Sequence, residues 1–321
     1  MWSHMLHFER RADAFVVHEL HADAVGEPLT DQQLWDALTG TFQSQRYQPP
    51  MLPPAAREVL AWSSCDGIDA EHLVRLLEKD PGLAKSVLSL CNSPLYGASG
   101  PSPSLSDAGG RAGVALLRDA VVEAAHARVF RNGGYSEAVD RVRLHSRAVA
   151  HLSRAIARFV SFEADHAFLC GLLHDVGLSA ALVALGDAVL GQKLRPVVDL
   201  WPALAGLHET VGGSVATVWR LPPDVAMVIR LHHTLTVGDV VHPVAAIVVL
   251  AESIAAEHGF GLVPPPRNFG GPPLLFGRHR IDEPSFTQAL VAKAALGLDD
   301  REPELAAVCS EVIAQLKVAQ G

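Results

Sequence analysis

The sequence predicts an all-α protein, and three observations carry that expectation. Apolar residues recur three and four positions apart through most of the chain, as in Val142, Val149, Leu152 and Ile156. Hydrophobic residues make up 49% of the 321 positions but aromatics only 6%, so Ala, Val and Leu dominate, which suits closely packed helices. No run of alternating polar and apolar residues is long enough for a sheet.

Residues 1–46 read as a separate N-terminal arm, with Phe15-Val16-Val17 as a short strand and a helix-like run from Thr30-Asp31 to Leu38. Gln48-Pro49-Pro50 and Pro53-Pro54 mark a hinge. A first helical block then occupies 47–135. Ala55 to Trp62 is one helix, and Asp69 caps a second with Leu73, Leu76 and Leu77 on one face. Asp80-Pro81 places an N-cap carboxylate before a proline at the first helical position, and Leu83, Val87, Leu90 and Cys91 form the stripe that follows. Asn92-Ser93-Pro94 ends that helix, and Tyr96-Gly97 through Pro103 is a turn-rich connection. The next helix is expected to start at Ser106 or Asp107 and to run through Leu117 to Phe130. Gly109, Gly110 and Gly113 weaken its beginning by about 1 kcal/mol each. Asn132-Gly133-Gly134 is a break.

A second block, 136–260, holds helices around 137–160, 164–174, 179–190, 199–220, 223–233 and 242–258. Residues 261–321 are expected to pack on it: a Gly/Pro-rich excursion from Gly259 to Gly277, then helices Pro284 to Leu296 and Pro303 to Ala319.

A formal charge of −9, from 35 acidic and 26 basic residues, makes duplex nucleic acid a poor partner. Cys65, Cys91, Cys170 and Cys309 form no C-x-x-C pair, and Cys91 and Cys170 read as small buried hydrophobes. Thiols of this kind, no expected membrane span, and His4, His7, Glu9 and Asp13 in place of a leader's apolar core together predict a cytoplasmic protein.

The helical stripes contain ionisable groups where hydrocarbon belongs: His145, His208, His232 and Glu252, beside His174-Asp175 and His233. A buried polar group left unpaired costs roughly 1–3 kcal/mol. Several together would consume most of a typical stability of about 5–15 kcal/mol. They must satisfy one another or share a metal ion. Among other polar residues, His151 falls near the opposite helical face and reads as surface or packing edge, and His166 reads as surface. Trp201 and Trp219 read as core or pocket wall, and Arg141, Arg143, Arg147 and Arg154 as a solvated basic face.

From about 47 to 260 the chain resembles the HDOD domain, the HD-related output domain of bacterial signalling proteins. The resemblance rests on Leu52-Pro53-Pro54, Glu78-Lys79-Asp80-Pro81-Gly82-Leu83, Leu90-Cys91-Asn92-Ser93 and Tyr96-Gly97. In the second half it rests on His145, Leu172-Leu173-His174-Asp175-Val176-Gly177, His208, Leu221-Pro222 and His232-His233. It implies a two-lobed all-α fold whose second lobe is similar to HD-type metal-dependent phosphohydrolases. By that likeness His145, His174 and Asp175 would form one metal site, with His208, His232 and His233 extending it toward a second ion, Asp175 bridging and Glu252 in reach. Mixed imidazole–carboxylate donors suit Mn, Fe, Ni or Zn. Leu178 replaces a lysine common in active HD enzymes, Glu252 replaces their last ligating Asp, and no Gly-Tyr-Pro signature follows His232-His233. The expected function is a non-catalytic regulatory module that binds a signalling protein or a small phosphorylated ligand. The alternatives are a metal-dependent phosphohydrolase acting on a nucleotide or cyclic dinucleotide, and a nucleotide sensor without turnover.

Overall fold

Local capping chemistry sets the boundaries of the first helices. The structure is a computed structural model that describes residues 31–44, 47–61, 69–96, 100, 102–130, 134–187, 196–262 and 283–319. The expected strand at Phe15–Val17, Cys65, the Asn132-Gly133 break and residues 263–277 of the Gly/Pro-rich excursion lie outside the described residues. Helices α1 (Asp31–Phe42), α2 (Pro54–Ala61), α3 (Ala70–Glu78), α4 (Pro81–Cys91) and α5 (Leu105–Val129) build the first half. Asp69 accepts from the His72 amide and Asp80 from the Leu83 amide, so both predicted N-caps form. Asp80 also pairs with Arg128, tying the start of α4 to the end of α5. Asn92 clamps the following connection from both sides: its Nδ2 donates to Ser102 O at 3.1 Å and its Oδ1 accepts from Ser102 N at 2.6 Å. Ser104, not Ser106 or Asp107, caps α5, and Gly113 at φ +82° kinks it. Glycine alone adopts that backbone without a Cβ penalty.

The second half comprises α6 (Ser136–Phe159), α7 (Ala164–Leu173), α8 (Val176–Asp187), α9 (Val197–Trp219), α10 (Pro223–Leu231) and α11 (Pro243–Ala255). A π-helical turn, Ala256–Phe260, extends α11, and α12 (Glu283–Ala295) and α13 (Glu302–Val318) follow. The helix expected at 179–190 begins three residues earlier, because Asp175 O already accepts from the Leu178 amide. The sequence also gave no sign of a small antiparallel hairpin, Thr236–Val237 with Val240–Val241, whose strands are too short for an alternating pattern to show.

Helix α6 is the axis of the fold, with α7, α8, α11 and α13 packed around it. Helices α2, α3 and α4 pack on α5, and α1 packs on α9, where Trp35 covers Gly206. Trp219 is core and donates its indole N–H to Pro50 O at 2.8 Å, fixing the Pro-rich hinge, while Trp201 is half-buried. Apolar side chains from Leu38 to Leu316 form one continuous core. The described cysteines Cys91, Cys170 and Cys309 are buried thiols.

Three expectations are corrected here. Ala164–Gly186 and Pro243–Phe260 are in fact long and apolar enough to cross a membrane, but 94% and 56% of those windows are buried inside the fold. Their hydropathy reflects core packing. The arginines of α6 are not a solvated face either. Arg147 pairs with the buried Glu123, Arg154 pairs with the buried Asp119, and Arg141 donates to the carbonyls of Gly259 and Gly261. His151, expected at the surface or a packing edge, is buried among Glu123, Tyr96 and Phe168. The physical reason is the central place of α6: a helix surrounded by neighbours has little outward face.

Candidate metal centre

Four helices and one turn deliver the ionisable groups to a single place. His145 comes from α6, His174 and Asp175 from the turn between α7 and α8, His208 from α9, His232 and His233 from the end of α10, and Glu252 from α11. Gly177 makes the approach of α8 and α9 close enough. A Cβ there would lie 2.0 Å from His208 O and 2.4 Å from the Gly212 amide nitrogen. Only hydrogen at that position lets the His174-Asp175 turn rest against the helix carrying His208.

The imidazoles are oriented by the backbone. Nδ1 of His145 lies 2.8 Å from Phe260 O, that of His174 2.8 Å from Gly171 O, that of His208 2.6 Å from Ala205 O, and that of His232 3.2 Å from Ile229 O. A carbonyl only accepts, so in each ring Nδ1 carries the proton and donates. All four Nε2 atoms then turn inward on one carboxylate. Asp175 Oδ2 is 3.6 Å from His145 Nε2 and 3.4 Å from His174 Nε2; Oδ1 is 3.4 Å from His208 Nε2 and 3.6 Å from His232 Nε2. The Nε2 atoms crowd one another as well: His145 to His174 is 3.3 Å, His208 to His232 3.2 Å, and His208 to His233 3.2 Å.

Neutral rings in these tautomers confront each other and Asp175 with lone pairs. One added proton relieves part of this. Burial lowers the His174 pKa, but the Asp175 charge and hydrogen bond outweigh it and raise the group to about 9. Burial raises Asp175, yet the charge on His174 and the contacts of the other imidazoles hold it well below the usual carboxylate range. Burial dominates at His232, pulled down to about 3, and also lowers His145, so these rings stay neutral. Their lone pairs, with the Asp175 carboxylate, are a donor set for a divalent cation.

Three overlapping groups have ligand atoms within 4.8 Å of one another: His145, His174 and Glu252; His174, Asp175 and His232; and His208, His232 and His233. All seven residues singled out in the sequence therefore meet in one centre, and Glu252 reaches it despite its extra methylene. His166 stands apart, paired with Asp224 at 3.3 Å. His174 and His232 are fully buried and His145, Asp175 and His208 nearly so, while His233 and Glu252 sit at the half-buried edge.

Three supporting contacts escaped the sequence reading. Glu209 accepts from the His233 amide at 3.4 Å, and its place beside His208 was the only available signal. Gln288 of α12 donates to His233 O, and Phe260 O orients His145. The last two contacts span 55 and 115 residues, so no local pattern announces them.

The family model for the HDOD domain matches residues 50–235, more than half of the chain. An uncharacterised protein of Treponema pallidum (strain Nichols) is 25% identical over 198 residues, which cover 58% of this chain and 38% of that relative's length. The crystal structure of an HDOD domain protein of unknown function from Geobacter sulfurreducens superposes with a TM-score of 0.60 at 24% identity, over 88% of this chain and 99% of that one. A proposed metal-dependent phosphohydrolase from Shewanella amazonensis SB2B gives 0.63 at 17% identity, over 89% and 98%. A proposed signal transduction protein from Marinobacter aquaeolei VT8 gives 0.55 at 19%, over 97% and 66%. At these identities the solved structures carry the fold alone, but the family match extends from the Pro-rich hinge to beyond His232-His233, and the chain belongs to the HDOD domain family.

Proposed function

We propose that the chain is a regulatory, signal-transducing HDOD module whose His/Asp centre holds one or two divalent transition-metal ions as a structural tie between helices, without turning over a phosphoester. One observation carries this reading: four backbone-anchored imidazoles turn their Nε2 atoms onto a single, nearly sealed carboxylate. Backbone anchoring of the second nitrogen is how metal-ligating histidines are commonly held. His145, His174, Asp175 and Glu252 would hold one ion, and Asp175, His208, His232 and His233 a second. Mn, Fe, Ni or Zn suits this donor set. When bound, such an ion supplies positive charge and Lewis acidity. The chain's own groups fix the tautomers, keep water out and hold α6, α7, α9 and α10 at one point. Leu178 and Glu252, in place of the expected lysine and aspartate, favour regulation over hydrolysis. The output would be a signalling protein or a small phosphorylated ligand.

The test is elemental analysis of protein purified without added metal, followed by melting with and without chelator. An ion present at a thousandfold its Kd stabilises by about 4 kcal/mol, so chelation should lower the Tm by several degrees. His208→Ala should lose the ion while remaining folded. Metal-free protein that melts identically in chelator sinks the reading. A second reading, metal-dependent hydrolysis, draws on the arrangement of Asp175, with one oxygen toward each histidine pair, and on the half-buried edge at His233 and Glu252. Cleavage of bis(p-nitrophenyl) phosphate with Mn or Fe, abolished by His174→Ala, would replace regulation with catalysis.

A further inference from the structure

The two halves of the His/Asp centre are unequal in charge. His145 and His174 have two carboxylates beside them, Asp175 and Glu252. The half built on His208, His232 and His233 has only a share of Asp175. Two divalent ions would bring four positive charges to a nearly sealed centre that holds two carboxylates. Buried charge without a counter-charge is costly, so the imidazole-rich half calls for a further anion close by.

Glu209 stands in that place. It follows His208 on α9, and its carboxylate reaches across to the end of α10. Oε1 accepts from the His233 amide at 3.4 Å and lies 3.9 Å from His232 Nδ1. The second distance is that of an ion pair and too long for a hydrogen bond; the Nδ1–H is given to Ile229 O at 3.2 Å. Glu209 therefore acts on His232 through its charge, from behind the ring whose Nε2 meets Asp175. At His145, His174 and His208 the Nδ1 atom faces a backbone carbonyl, and no carboxylate stands behind it among the described residues. No lysine or arginine pairs with Glu209 among the described residues, so its charge is left to the imidazoles. Its side chain is 30% exposed, which moderates the effect without removing it. A carboxylate behind a ligating imidazole fixes the ring and makes it a stronger donor to a metal.

Resting on the reading of the centre as a divalent-metal site, we propose that Glu209 is a positioning residue for the ion at His208, His232 and His233. It supplies the negative charge that this half lacks and sets the affinity of that ion without ligating it.

Cobalt(II) titration of the chelator-stripped full chain, read by visible absorption and by competition with a chromophoric chelator, tests this. Glu209→Gln keeps the shape of the side chain and an acceptor for the His233 amide, and removes only the charge. It should weaken one bound ion about tenfold, the same ion that His233→Ala weakens, and shift the cobalt ligand-field band. The stripped variant should melt as the stripped parent does. Glu209→Asp, which keeps the charge, should recover part of the affinity. Parent-like cobalt affinity and absorption in Glu209→Gln overturn the proposal, and so does an equal loss at both ions. A parent chain that takes up no cobalt removes the metal reading itself and this inference with it, so the two failures are told apart.

Discussion

Gly177→Ala is the sharpest test of how the centre is assembled. The added methyl carbon would sit 2.0 Å from His208 O, 2.4 Å from Gly212 N and 2.8 Å from Gly212 Cα. Ordinary carbon–oxygen contact is about 3.5 Å or slightly less, so α8 and α9 must separate by roughly 1 Å. All three obstacles are backbone, and no side-chain rotation relieves them. Overpacking of this kind costs typically 1–3 kcal/mol and sometimes more; a backbone clash belongs at the upper end, about 3 kcal/mol. For a domain of this size that corresponds to a Tm lower by roughly 6–12 °C. The same separation lengthens the 3.4 Å approach of His208 to Asp175, so metal retention should fall with stability. Scanning calorimetry with elemental analysis reads both. Gly110→Ala is the control: nothing lies within 4 Å of its added Cβ, and its Tm should hold or rise slightly. If Gly177→Ala melts within about 1 °C of the parent and matches it in metal content, the close approach of the two helices is wrong.

Three further outcomes follow from the packing. Burial raises the Glu123 carboxyl, but Arg147, His151 and Tyr96 outweigh it and lower its pKa from 4.5 to about 2. The stabilisation that goes with this shift is present above pH 4.5 and lost as pH falls through about 2, an effect of about 3 kcal/mol. Denaturant titrations across that window should show this dependence in the parent and not in Glu123→Gln; parallel curves would refute it. Asn92→Ala removes both bonds to Ser102 and should cost about 1–3 kcal/mol, with Asn92→Asp, which keeps the acceptor, less affected in urea unfolding. Trp219→Phe leaves Pro50 O without its indole donor and should lower stability by about 1 kcal/mol or more. Proteolysis near the Pro-rich hinge is the second readout, and unchanged cleavage there would count against the contact.

Much of this architecture was legible in local pattern. The caps at Asp69 and Asp80, the Asn92 stop and the helices at Ser136–Phe159, Ala164–Leu173 and Pro223–Leu231 follow from rules that span three or four residues. The seven residues of the centre were legible for a related reason. Each ionisable group stood on an apolar stripe, where it had to be buried and partnered. Asp119 and Glu123 followed the same logic at a spacing of four on α5, but arginines read as a solvated face on α6 hid their partners.

The sequence by itself determined which residues become helical, which groups must leave water, and that they would need one another. Tertiary structure alone decided how many sides of α6 are covered, which carbonyl meets each Nδ1, and that Gly177 is the point where two helix backbones touch. The reason is range. Periodicity and capping act within a helical turn, whereas burial on a second face, ring orientation and backbone approach depend on neighbours tens to more than a hundred residues away, as with His145 and Phe260.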